Sequence, residues 1–174
     1  MEQKITSTTT KGLIIGLILI VIGLLIYFLK IDANGPIRWV QLVIFVAGII
    51  WSVTSYGKQL NYHSTFGNYF AHGFKVTAVA TVILIIYIII FNLLFPDFKE
   101  MAMEQARKNM AAKNLTQEQI DQGMEFTKKF FMVIAVGAIL LINLICGAIA
   151  ALIGAAVTKK VPIQPGEDLN QIGK

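Results

Sequence analysis

Few side chains in this sequence could do chemistry, and their spacing limits what that chemistry could be. His63 and His72 are the only histidines. A metal ion held from one helix takes ligands at i and i+3 or i+4, and it needs others close by. These two stand further apart, and the segment between and around them, Gly57–Lys75, holds no Cys, Asp or Glu. They make a poor metal or haem site and read as structural histidines of the membrane interface; protonation sensing is the alternative, since imidazole titrates near neutral pH. Cys146 is the single cysteine, which excludes an internal disulfide. A cysteine nucleophile needs an activating base, and none stands near it in sequence. Asn143 lies inside a long apolar run, where an amide must find a partner. It shares a helical face with Gly147, Ala150, Ala151 and Gly154, so helix-to-helix bonding is the expected role and solute or ion binding the alternative. No catalytic residue, metal-ligand set or cofactor is expected, and the chain reads as non-enzymatic.

The elements that hold these residues are membrane spans. The chain is 56% hydrophobic and only 14% charged, against roughly 25% charged in soluble domains. Phe130–Val157 is uncharged throughout and exceeds the ~20 residues that cross a bilayer. Its second half is crowded with Gly and Ala, which let helices approach closely in lipid. It is expected to be the last and innermost of four spans, at about residues 12–29, 39–56, 67–95 and 130–157. The first of these could be mistaken for a signal peptide, but Tyr27-Phe28-Leu29-Lys30 follows it where a small-residue cleavage site would stand. Gly12, Gly16 and Gly23 fall on one face of that span, a groove expected to seat the small face of the fourth. Asp32, Asn34, Gly35 and Pro36 make a turn, so spans one and two are antiparallel neighbours. Trp39 and Tyr56 end the second span as interfacial aromatics.

The third helix is expected to start near Thr65, capped by Ser64 or Thr65, ahead of the apolar run Val76–Phe95. Its opening turns (Phe66, Gly67, Phe70, His72, Gly73, Phe74) mix aromatic and polar residues as the headgroup layer favours. Pro96 ends or kinks it. Residues 97–129 then form a charged helical hairpin. Thr116 and Gln119 make a capping box, and the second arm is expected to run unbroken into the fourth span, with Gly123 the place where it could bend. After Lys159-Lys160, residues 161–174 read as a flexible polar tail. No ionisable side chain falls inside the apolar runs themselves, which lowers the expectation of a pump or coupled transporter.

The fold class is therefore all-α: a polytopic four-helix membrane bundle with an extramembrane hairpin between helices three and four. The net charge of +5 lies at span ends, where Lys and Arg anchor helices, so nucleic acid is not an expected partner. Lys and Arg are nearly even on the two sides. The hairpin's basic residues are offset by its own acids, which favours cytoplasmic termini.

Several motifs here resemble a family of small bacterial four-span membrane proteins whose domain has no assigned function. They are Thr65-Phe66-Gly67 with Phe70, Gly73 and Phe74, then Pro96-Asp97-Phe98, the Thr116–Ile120 helix start, and the small-residue last span closed by Lys159-Lys160. The resemblance implies a bacterial inner-membrane setting and brings no catalytic residues. The function expected is that of an accessory or scaffold protein, in contact with the bilayer and with a partner or second copy through the hairpin. The alternative is an oligomeric transporter or channel for a small neutral solute or lipid, lined by Asn143, Ser52, Thr54 and Thr77.

Overall fold

The computed structural model describes residues 6–31, 37–113 and 115–161. The turn expected at Asp32–Pro36, the first residues of the chain and the tail beyond Val161 lie outside the described residues. Among the described residues the chain forms six helices and no strand: α1 (Thr8–Phe28), α2 (Ile37–Gln59), α3 (Phe66–Leu94), α4 (Pro96–Ala111), α5 (Gln117–Lys129) and α6 (Phe131–Val157). Four of them, α1, α2, α3 and α6, are long and apolar enough to cross a membrane. The chain is a multi-pass membrane protein.

Local chemistry sets the helix ends. Ser7 caps α1, its Oγ accepting from the Thr10 N–H at 3.1 Å, so the helix starts a full turn before the apolar run. Thr65 Oγ1 accepts from the Asn68 N–H at 3.3 Å and opens α3. Pro96 takes the first position of α4, where its missing N–H costs no bond, and Phe95 is the one non-helical residue between α3 and α4. The reciprocal capping box of Thr116 and Gln119 is present at α5. The second arm does not run unbroken into the last span. It breaks at Phe130 (φ −108°, ψ 18°), not at Gly123, while Phe130 N→Phe126 O and Ile134 N→Phe130 O bonds keep the chain turning through the break.

Two compact units divide the chain: residues 1–84 with 142–174, and residues 85–141. In the first, Ile15 and Leu19 of α1, Phe45 and Ile49 of α2, Val76 and Ala80 of α3, and Ala150 and Ala151 of α6 form one apolar core. Four helix ends meet on one side of it. The Thr6 N–H donates to Gln59 Oε1 (3.1 Å), Gln59 Nε2 donates to Thr6 Oγ1 (3.2 Å), and the Val161 N–H donates to Tyr62 O (3.0 Å). Glycines set the helix spacing. A Cβ on Gly12 would lie 2.7 Å from Val79, and one on Gly16 3.1 Å from Ile83. That groove therefore seats α3, not the fourth span as the sequence suggested; Gly23 is only half-buried. The small face of α6 goes elsewhere. A Cβ on Gly147 would collide with Thr77, and one on Gly154 would stand 2.9 Å from Val53. Gly73 of α3 meets both Val53 and Ala151.

The last span is not the innermost of the four: along its apolar length it is less buried than α1, α2 or α3. Ala150, Ala151 and Ala155 are fully buried, whereas Ile149 on the opposite side is 52% exposed. One small-residue face is in protein; the bulky faces are left for lipid.

The second unit holds α4 and α5. Met110 packs over Gly123, Arg107 and Asp121 pair loosely at 3.9 Å, and Ile120 is buried. Gly137 of α6, in this unit, has nothing within 4 Å of a would-be Cβ.

These environments predict opposite signs for the same change. Gly137→Ala should raise thermal stability in detergent, by up to ~1 kcal/mol from helix propensity. Gly147→Leu and Gly154→Leu should lower it by roughly 1–3 kcal/mol or more through overpacking, and by more than Ile149→Leu. Equal melting temperatures for all four variants would contradict the packing described.

Candidate functional site

The polar side chains that could act lie where the four helix ends meet in the first unit. Ser7 starts α1 early, and this places Lys11 within the helix on the stripe Lys11, Ile15, Leu19 that faces the core. Lys11 is 1% exposed. The spans are therefore not free of ionisable groups: the sequence placed the start of the first span at residue 12, just after Lys11, and Lys11 lies inside the helix. The signal that could have revealed this was the Ser7–Thr10 run, a helix start with Lys11 on the inward stripe.

Lys11 Nζ donates to the backbone carbonyl of Ser52 at 3.1 Å and sits 5.9 Å from the centroid of the Tyr56 ring. Tyr56 in turn stacks on His72, centroids 4.0 Å apart and planes within 5°. His72 Nε2 and Ser52 Oγ are 3.2 Å apart and share a hydrogen bond. Lys11, Ser52, Tyr56 and His72, from three helices, thus form one closed polar knot, with Ser52 using its main chain for one partner and its side chain for the other. Tyr69 stands edge-on to Tyr56 at 6.2 Å; it is fully buried, and its hydroxyl has no hydrogen-bond partner among the described residues. A cation in low dielectric ordinarily pairs with a carboxylate. No Asp or Glu occurs among the described residues of this unit. Lys11 is held by one carbonyl and one aromatic face.

The other expected residues divide clearly. Phe66, Gly67 and Phe74 are exposed, Phe70 is half-buried against the core, and His72 and Gly73 are buried, so the start of α3 presents one face outward and one to the polar knot. Lys160 Nζ lies 5.7 Å from the Phe66 ring centroid. His63 is half-buried in the turn after α2, where Asn61 and Tyr62 adopt φ of 50° and 65°. No group of three His, Cys, Asp or Glu able to hold a metal ion occurs among the described residues. Of the four residues considered for a solute path, Thr54 and Thr77 bond back to their own helices, to Ile50 O (3.1 Å) and Gly73 O (3.0 Å). Ser52 is committed to His72. Asn143 is half-buried and makes no side-chain hydrogen bond among the described residues, so it does not tie α6 to the other helices there. Cys146 packs against the apolar core.

In the second unit the candidate feature is the hairpin of α4 and α5. Glu104 and Lys108 pair at 2.7 Å, one turn apart, and the Lys108 hydrogen bond holds the Glu104 carboxyl below its ordinary range. Gln105–Asn109 and Gln117–Asp121 bonds add to the same outer surfaces. Met101, Leu115 and Phe126 remain exposed on it. At its base Lys99 lies 5.6 Å from the Phe131 ring centroid and Lys129 the same distance from that of Phe130.

The knot gives a direct test. Lys11→Met removes a buried charge that has no counter-ion among the described residues, and a charge in low dielectric is costly unless compensated. His72→Ala removes the stacked ring and strands Ser52 Oγ, which costs roughly 2–4 kcal/mol. Melting in detergent should therefore leave Lys11→Met at or above the parent and His72→Ala well below it. A Lys11→Met protein as unstable as His72→Ala would contradict this reading of Lys11.

Comparison with known proteins adds the following. A family model described as "Protein of unknown function (DUF4199)" matches residues 10–160. No curated protein and no solved structure matches the chain.

Proposed function

We propose, for a chain that belongs to this DUF4199 family of unknown function, the role of a non-enzymatic accessory or scaffold protein of the bacterial inner membrane, with both termini cytoplasmic. Its docking element is the α4–α5 hairpin, and its partner is another membrane protein or a second copy of itself. The observation that carries the reading is the hairpin's construction. Met110 over Gly123 and the loose Arg107–Asp121 contact join the two arms, and a capping box fixes the start of the second. The arms are thus ordered before any partner arrives, which lowers the entropic cost of binding. Met101 and Phe126 stay exposed, and Met side chains adapt to varied apolar partners. A photo-crosslinker placed at Met101 or Phe126 in cells should give a discrete protein adduct that a crosslinker at Val133, an exposed residue of α6, does not give. The same adducts from all three positions would contradict the proposal.

A second reading, an oligomeric path for a small neutral solute or lipid, is favoured by one observation. The Asn143 amide lies in a span, half-buried and without a hydrogen-bond partner among the described residues. Such a group is open to a solute or to a second protomer. Under this reading Asn143→Leu should abolish flux of the solute in liposomes; unchanged flux would remove the basis for it.

A further inference from the structure

We propose that the end of the first unit where the four helix termini meet binds the phosphate of anionic phospholipid headgroups. Lys58 in the last turn of α2, Lys75 on α3, and Lys159 and Lys160 after α6 are all exposed. None of them has a carboxylate partner among the described residues, which include no Asp or Glu in this unit. The hairpin differs: Arg107 and Lys108 are met there by Asp121 and Glu104. Beneath the exposed lysines lies Lys11, bonded to one carbonyl and shielded from water. A buried charge is screened far less than an exposed one, so its field adds to theirs at the surface.

The same end carries the aromatic residues that settle at headgroup depth. Phe66 and Phe74 are exposed, and Lys160 is positioned over the Phe66 ring while donating to Thr158 O at 3.1 Å. Exposed ammonium groups near the ends of apolar helices, without a carboxylate among the described residues and with rings beside them, suit the layer in which lipid phosphates stand. Anionic phospholipid in the surrounding leaflet is the occupant with matching charge and location. A free phosphate in solution has the charge but not the location.

The test uses the full chain in a neutral detergent, with thermal unfolding followed as lipid is added. Phosphatidylglycerol should raise the unfolding temperature, while phosphatidylcholine with the same acyl chains, and inorganic phosphate at equal concentration, should not. Replacing Lys58, Lys75, Lys159 and Lys160 together by Gln should raise the phosphatidylglycerol concentration needed for half the shift at least ~10-fold. Replacing Lys99, Lys128 and Lys129 by Gln at the hairpin base should leave it within about twofold, since those residues lie in the other unit. The proposal is overturned if both lipids give the same shift, if the fourfold variant responds like the parent, or if the hairpin-base variant loses the response equally. A shift produced by inorganic phosphate alone would make this a free-anion site and overturn the assignment to lipid.

Discussion

The structure depends on how closely α2, α3 and α6 approach one another around Val53 and Thr77. Between helices in lipid there is little hydrophobic driving force, because acyl chains are as apolar as Leu and Ile, so association rests on close packing of surfaces that fit. Gly73, Gly147 and Gly154 are the positions where a side chain is absent because another helix occupies its place. Val53, fully buried, fills the space left by two of these glycines at once. The bulky residues of α6 point away from that contact. Bulk would add nothing to packing inside, and outside it satisfies the bilayer.

Within that scaffold the polar knot is an exception that the surrounding packing has to tolerate. Buried Lys11 lacks a carboxylate among the described residues, and a charge in low dielectric is costly unless compensated. The partners it has are a main-chain carbonyl and the face of Tyr56, with His72 and Ser52 completing the ring of contacts. Side chains kept inside a span at such cost are functional candidates by default. Here the cost is accompanied by a surface of exposed lysines and by a Tyr69 hydroxyl without a hydrogen-bond partner among the described residues, so polar side chains are concentrated at this end of the unit.

Much of the fold was legible because lipid allows few solutions. Four uncharged runs, Pro96 before a charged stretch, and Thr116 with Gln119 each have one dominant physical reading: four long apolar helices, a break after Phe95 and a capped start of α5. The hidden features depended on pairings that spacing alone does not reveal. Gly12 and Gly16 plainly form a groove, but nothing in a single sequence says whether α3 or α6 fills it. Phe130 looks like an ordinary helical residue, and nothing in its type or in its neighbours marks the break there. Lys11 was misplaced because a lysine beside an apolar run normally marks its end, and only the Ser7 cap moves the helix start past it. His72 reads as an interfacial residue, yet the helix turns it inward together with Tyr69, while Phe66 and Phe74 turn out.

The most direct measurement is a set of nuclear Overhauser contacts recorded on the chain in lipid nanodiscs, between the Val53 methyls and the Gly154 Hα and between the Thr77 methyl and the Gly147 Hα. The close approach of α6 to α2 and α3 predicts strong cross-peaks at both pairs. Cross-peaks from Gly147 and Gly154 to lipid acyl chains alone, with none to Val53 or Thr77, would contradict it.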